Sequence, residues 1–112
     1  IMDSILTSIK KLLGIEEEYT HFDTDIIMHI NTVFMTLQQL GVGPKNGFSI
    51  VDKEPTWNEF FGPEQLEAAK TYVYLKVRLL FDPPSNSFLV DALERHAKEI
   101  EWRLQVQAEG GD

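Results

Sequence analysis

From Ile26 to Leu40 the apolar residues Ile26, Ile27, Ile30, Val33, Phe34, Leu37 and Leu40 recur at intervals that line one side of a helix. A half-buried strand would instead alternate every second residue. Asp23 opens the segment, Asp25 adds negative charge where the helix dipole favours it, and Gly41 closes it. A stripe this long must be covered by other elements, so the rest of the chain is read for partners.

Three further segments supply them. Asp3 is the expected cap of a short helix carrying Ile5, Leu6, Ile9, Leu12 and Leu13, with Lys10 and Lys11 near its C-terminal end and Gly14 stopping it. Glu16-Glu17-Glu18 then forms an acidic connector. Gly62-Pro63-Glu64 starts a third helix with proline at its first position, and Asp82-Pro83-Pro84 forbids continuation past Phe81. This helix is doubly apolar: Leu66, Ala69, Val73, Val77 and Leu80 form one stripe, and Ala68, Tyr72, Leu75 and Leu79 an adjacent one. Such a helix is central or touches a partner. Ser87 is the expected cap of a fourth helix over about Phe88–Gln107, with Leu89, Leu93, His96, Ile100 and Leu104 inward. Asp91/Arg95, Glu94/Lys98 and Glu99/Arg103, spaced four apart, mark its solvated side.

Residues 41–55 hold three Gly and two Pro and predict a long loop, with a brief extended piece at Phe48–Val51. Thr56-Trp-Asn-Glu59 matches a capping box and predicts a single helical turn before Phe60 and Phe61. The expected fold is therefore all-α, a small bundle of about four main helices with one long loop at about 41–55 and the last two helices antiparallel. It is read as a single helical domain over 2–107. The Gly-rich end at 108–112 is expected to be a disordered tail, and Ile1 before Met2 reads as a residue left by expression.

Length and composition narrow the function. A chain of 112 residues with 43% hydrophobic content can bury a core without staples, and the absence of cysteine removes disulfides, thiolate zinc sites and cysteine nucleophiles. No apolar run approaches the ~20 residues needed to cross a bilayer, so an intracellular, soluble protein with no membrane partner is expected. The net charge of −8 is divided evenly, −3 over residues 1–50 and −5 over 51–112, so no basic patch offers grip on a phosphate backbone.

The chemical candidates have simpler structural readings. His21, Asp25 and His29 are four apart and could offer two imidazoles and a carboxylate to a metal, but His21 precedes the helix cap and no fourth ligand is indicated. His96, on the inner stripe, reads as a buried, hydrogen-bonded histidine rather than a general base. Carboxylate pairs such as Glu16/Glu17 and Asp23/Asp25 sit on a connector and a helix start, not across a cleft. No dinucleotide, P-loop, zinc-protease, serine-hydrolase or EF-hand pattern occurs. The chain is read as having no catalytic residue, no metal site and no cofactor.

The apolar residues left over are more informative. Met28 and Met35 project opposite the main stripe of their helix, while Phe88, Trp102 and Val106 lie off the inner stripe of the fourth, with Arg95 between them. Either the chain wraps both sides of its helices, or these faces bury against other subunits. The second reading also suits the double-sided third helix and the aromatic group Phe48, Trp57, Phe60 and Phe61. On apolar surplus, subunit contacts are assigned to Met28, Met35, Tyr72 and Leu79. Composition and spacing reach as far as a helical self-associating or adaptor module.

Longer strings go further. Met2-Asp-Ser-Ile-Leu-Thr-Ser-Ile-Lys-Lys-Leu-Leu-Gly-Ile15, Asp23-Thr-Asp-Ile-Ile27, Thr71-Tyr-Val-Tyr-Leu-Lys-Val-Arg-Leu-Leu-Phe-Asp-Pro-Pro84, Leu93-Glu-Arg95 and Glu101-Trp-Arg-Leu104 together resemble the head–tail connector (adaptor) family of tailed phages and prophages. The resemblance covers nearly all of residues 2–107 and is weakest at 41–55. It implies a structural subunit without turnover, located at the head–tail junction of the virion and assembled in the bacterial host cytoplasm. Its implied partners are copies of itself in a cyclic ring of about twelve, the portal protein above, and the next tail-completion protein below. DNA would pass through the ring without tight binding. In this family the C-terminal helix reaches toward the portal, which implies that role for Trp102, Leu104 and Val106.

Two other classes make distinct expectations. A small acidic regulator of the antirepressor or DNA-mimic type would present regular rows of carboxylates to a basic protein. An enzyme would need a pocket that gathers His21, His29 or His96 with carboxylates.

Overall fold

The computed structural model describes residues 4–44 and 48–110, and its helices begin and end where orphaned backbone groups find partners. Helix α1 spans Ile5–Leu12 and α2 spans Asp23–Gln39. Both stop by the same device. Gly14 and Gly41 take φ of +82° and +85°, and the following apolar residue sends its N–H back into the last turn, Ile15 to the Lys10 carbonyl at 2.8 Å and Val42 to the Leu37 carbonyl at 2.9 Å. This is the Schellman closure, and Val42 completes it by burying fully, as Leu37 does.

Three helix starts differ from expectation. Asp3 lies outside the described residues, and Ser4 caps α1, its Oγ accepting the Thr7 N–H at 3.2 Å. Helix α3 spans Leu66–Phe81, three residues later than Pro63, because Gly62–Gln65 closes as a turn with the Gln65 N–H on the Gly62 carbonyl. Helix α4 spans Ser87–Gly110 and is capped by Asn86, whose Oδ1 accepts the Phe88 N–H at 2.8 Å. The helix also continues through Ala108, expected to be tail. Ala108 is half-buried beside the α2 terminus, 3.6 Å from where a Cβ on Gly41 would stand.

Helix α3 packs against both α2 and α4. Its buried Ala69, Tyr72, Val73, Leu75 and Val77 join Ile26, Ile30, Val33, Phe34 and Leu37 of α2 and Ala97, Ile100 and Leu104 of α4 in one continuous core. Helix α4 runs antiparallel to α3, since Tyr72 meets Glu101 while Leu79 and Leu80 share a groove with Glu94 and Ala97. Helix α2 is antiparallel to α3 as well, since Phe22 and His29 near its start pack against Phe81, and Phe34 further along packs against Phe61. Helices α2 and α4 therefore run parallel on either side of α3.

Leu93, Ile100 and Leu104 face inward on α4 as predicted, and the stripe departs from expectation at Leu89 and His96. Ala97 is buried, whereas His96 is exposed and so is Leu89. The small Ala97 lets α3 and α4 approach closely, and that contact sets the rotation of the helix. Leu12 and Leu80, also predicted inward, are exposed.

The long loop is held by side chains rather than by a strand. Asn31 of α2 pairs with the Ile50 peptide in both directions, its Nδ2 donating to the carbonyl at 2.9 Å and its Oδ1 accepting the N–H at 2.8 Å. Phe48 lies 4.5 Å from Phe34 and 5.0 Å from Phe60 between ring centroids. The expected capping box forms around the turn Trp57–Glu59. Trp57 is fully buried, and its Nε1 donates to Ser8 Oγ at 2.7 Å. The aromatic group Phe48, Trp57, Phe60 and Phe61 thus packs within the chain and is not left for another subunit.

Lys10 organises the acidic connector. It is 2% exposed, and its Nζ donates to the carbonyls of Glu17 at 3.0 Å and Tyr19 at 2.7 Å while lying 2.8 Å from Asp23 Oδ1. Two carbonyl acceptors and the opposite charge of Asp23 together offset the cost of taking the ammonium out of water. Lys10→Met keeps the aliphatic stem but leaves Asp23 and two carbonyls without their donor. It should lower stability by about 2 to 3 kcal/mol, read as a lower urea midpoint at unchanged slope. An unmoved midpoint would show that the connector holds without the lysine.

Candidate assembly surfaces

Helices α2 and α4 each cover part of α3, and each keeps an outer side turned away from the shared core. On α2 the outer side carries Met28, 58% exposed, and Met35, 60% exposed, with Thr32 between them. From Ile26 to Pro44 no Asp, Glu, Lys or Arg occurs. A solvent-facing helix without charge is unusual, and depletion of charge with enrichment of methionine is what the centres of protein interfaces show. On α4 the outer side carries Phe88, 82% exposed, Trp102, 64% exposed, and Val106, 45% exposed. Asp91, Arg95 and Glu99 lie along the same line of the helix.

The residues singled out from sequence divide between surface and core. Met28, Met35, Trp102 and Val106 are exposed; Leu79 is half-buried and lines a groove of about 490 Å³ between α3 and α4 with Leu80, Lys76, Glu94 and Lys98. Tyr72 and Leu104 are fully buried. Tyr72 fills the α3–α4 seam, and its hydroxyl donates to Glu101 Oε2 at 2.7 Å. Leu104 sits on the inner stripe of α4, four residues from both Ile100 and Ala108. Neither has surface to give a partner. The exposed Phe88, four turns before Trp102 on the same line, belongs to the outer face and was absent from the expected contact residues. Its position off the inner stripe was the signal.

A family model described as phage connector protein matches residues 5–111. The chain belongs to this family. No curated protein and no solved structure gives a significant match. Connector proteins have a structural part at the phage head–tail junction, so the two outer faces are the features of this connector that bear on function.

The histidines of the connector are scattered. His21 lies in the turn before α2 with its ring 4.8 Å from Phe22; His29 is half-buried beside Phe81; His96 is exposed on α4. Among the described residues no three His, Asp or Glu side chains come together as a metal site. No described helix is long and apolar enough to cross a membrane. Asp23 stands in the first turn of α2, where the helix dipole favours its charge, and is also the counter-ion of Lys10.

Burial, and then the bond to Glu101, push the Tyr72 phenol far above its ordinary value near 10. The folded chain therefore keeps a proton that the unfolded chain loses at about pH 10. This contribution to stability is complete below that pH and is lost as pH rises beyond it. Melting temperature should fall above about pH 10. Tyr72→Phe should flatten that part of the profile while costing about 1 kcal/mol at neutral pH. An equally steep alkaline slope in the variant would assign the effect to other groups.

Proposed function

We propose that this connector is the repeating subunit of a ring that attaches below the portal, continues the DNA channel and offers a docking surface to the next tail-completion protein. The observation that carries the reading is the pair of apolar outer faces, Met28 and Met35 on α2 and Phe88, Trp102 and Val106 on α4. A closed ring of identical subunits needs two different faces on each, one for either neighbour, and a helical surface with one sticky face would stop at a dimer. Met28 and Met35 on one side, and Trp102 and Val106 on the other, supply the contacts to ring neighbours and portal, with Leu79 at the margin of the α3–α4 groove.

Charge supports the channel role. A subunit carrying −8 repels phosphate, so DNA passes without being gripped. Assembly takes place in the host cytoplasm, and the finished ring stays in the virion.

The acidic-regulator reading asks for rows of carboxylates. Here the exposed part of α4 interleaves Asp91, Glu94 and Glu99 with Arg95, Lys98 and Arg103, and Arg103 pairs with Glu99 at 3.4 Å. The outer side of α2 bears no charge after Asp25. Neither surface imitates a phosphate backbone.

Light scattering over a concentration series, with negative-stain images of the same samples and with purified portal added, tests the proposal. Closed rings of about a dozen copies are the expected result. Trp102→Ala should reduce ring or portal assembly at least tenfold while leaving helicity and melting temperature nearly unchanged, because its side chain is largely in solvent. A variant monomer that unfolds would return Trp102 to the core and overturn its role. No ring in any sample, with or without portal, would overturn the ring itself.

A further inference from the structure

We infer that the outer face of α2 in one subunit packs in parallel against the outer face of α4 in the next, with Met35 opposite Trp102 and Met28 opposite Arg95. The inference rests on the ring reading above and specifies its interface.

Register is the first argument. Within one subunit α2 and α4 run parallel, and their ends lie side by side where Gly41 meets Ala108. Counting back from that contact at equal rise per residue places Met35 level with Trp102, Thr32 with Glu99 and Met28 with Arg95. Cyclic symmetry rotates a subunit without lifting it. With the helices along the ring axis, residues level within a subunit are therefore also level between neighbours. Both faces also carry their prominent side chains seven residues apart, Met28 and Met35 on α2 and Arg95 and Trp102 on α4, so two knobs meet two partners without slippage.

Chemistry is the second. Methionine adapts its shape and favours the edge of an aromatic ring, so Met35 against the Trp102 indole is a matched pair. Electrostatics selects a second copy as the occupant. Two chains of −8 repel wherever carboxylates would be brought together. The charge-free run Ile26–Pro44 brings none to meet Asp91, Arg95 and Glu99 of the α4 stripe. A contact between these faces thus adds no like-charge pair. The stripe from Phe88 to Val106 is about 27 Å long and one helix wide, roughly 300 Å² of footprint, against about 800 Å² per partner in a stable complex. One such contact is weak, and closure, which gives every subunit two, is what holds the ring.

The chain has no cysteine, so Thr32→Cys and Glu99→Cys introduce unique thiols at level positions without touching Met28, Met35 or Trp102. Both sites are exposed, and circular dichroism melting confirms that each variant folds. A bis-maleimide spanning the about 8–10 Å between packed helices links them. The double variant should give a ladder of covalent oligomers up to the full ring. A mixture of the two single variants should stop at dimers containing one of each, at least tenfold above dimers of either variant alone. Like-with-like dimers in excess, or rings seen by microscopy that yield no T32C–E99C link, would overturn the pairing while leaving the ring in place. Rings absent altogether, with portal present, would overturn the ring reading and the pairing with it.

Discussion

Everything in this connector follows from the two apolar sides of α3. Ala69, Val73 and Val77 on one flank and Tyr72 and Leu75 on the other cannot both be covered by a single neighbouring helix. The chain therefore places α2 on one side and α4 on the other, each antiparallel to α3. The consequence reaches the surface. With α3 covered, α2 and α4 each turn a second side outward. The spare apolar surface thus lies on two separate helices, as a head-to-tail contact requires.

The shorter elements stay ordered because polar side chains take the place of missing secondary structure. Asn31 offers the Ile50 peptide the donor and acceptor that a neighbouring strand would have provided. Lys10 gathers two carbonyls of the acidic connector and the Asp23 carboxylate around one ammonium. Trp57 fastens the turn after the loop to Ser8 of α1, and the Ile5 N–H donates to the Pro55 carbonyl beside it. Each satisfies buried backbone or side-chain polarity that would otherwise cost about 1 to 3 kcal/mol per group. An eight-residue α1 with only two turns of helix depends on these ties more than on its own propensity.

Periodicity carried the helices, and its failures have physical causes. The α2 stripe and both sides of α3 were legible because large aliphatic residues at helical spacing leave little choice. The two Gly-to-apolar helix ends and the Thr56–Glu59 capping box were legible as local chemistry. The first half of the α4 stripe was not. A stripe drawn through Leu89 and His96 weighs size, whereas the closest contact is made by Ala97, whose small side chain gives little periodic signal. Counting apolar residues also could not say which would be left over, so Tyr72 and Leu104 were assigned to partners although the core consumes them. Lys10 read as a dipole complement because nothing in its neighbours announces that the connector folds back over it. The exposure of Met28, Met35, Trp102 and Val106 was legible because they lie opposite stripes that the core cannot do without. The family strings, spread from the first helix to the last, supplied the function that no spacing could.

Acidity and self-association are reconciled by where the charge is missing. At physiological salt the repulsion between two −8 chains is screened beyond about 8 Å, so encounter is permitted and the outcome is decided by what the surfaces bring into contact. Over most of this surface that is carboxylate against carboxylate. Along the outer side of α2 it is methionine, threonine and glutamine, and along the α4 stripe it is aromatic and aliphatic side chains around an opposed Arg95 and Glu99. Random association is penalised everywhere except at these two faces. The negative charge thus narrows the ways in which copies can meet.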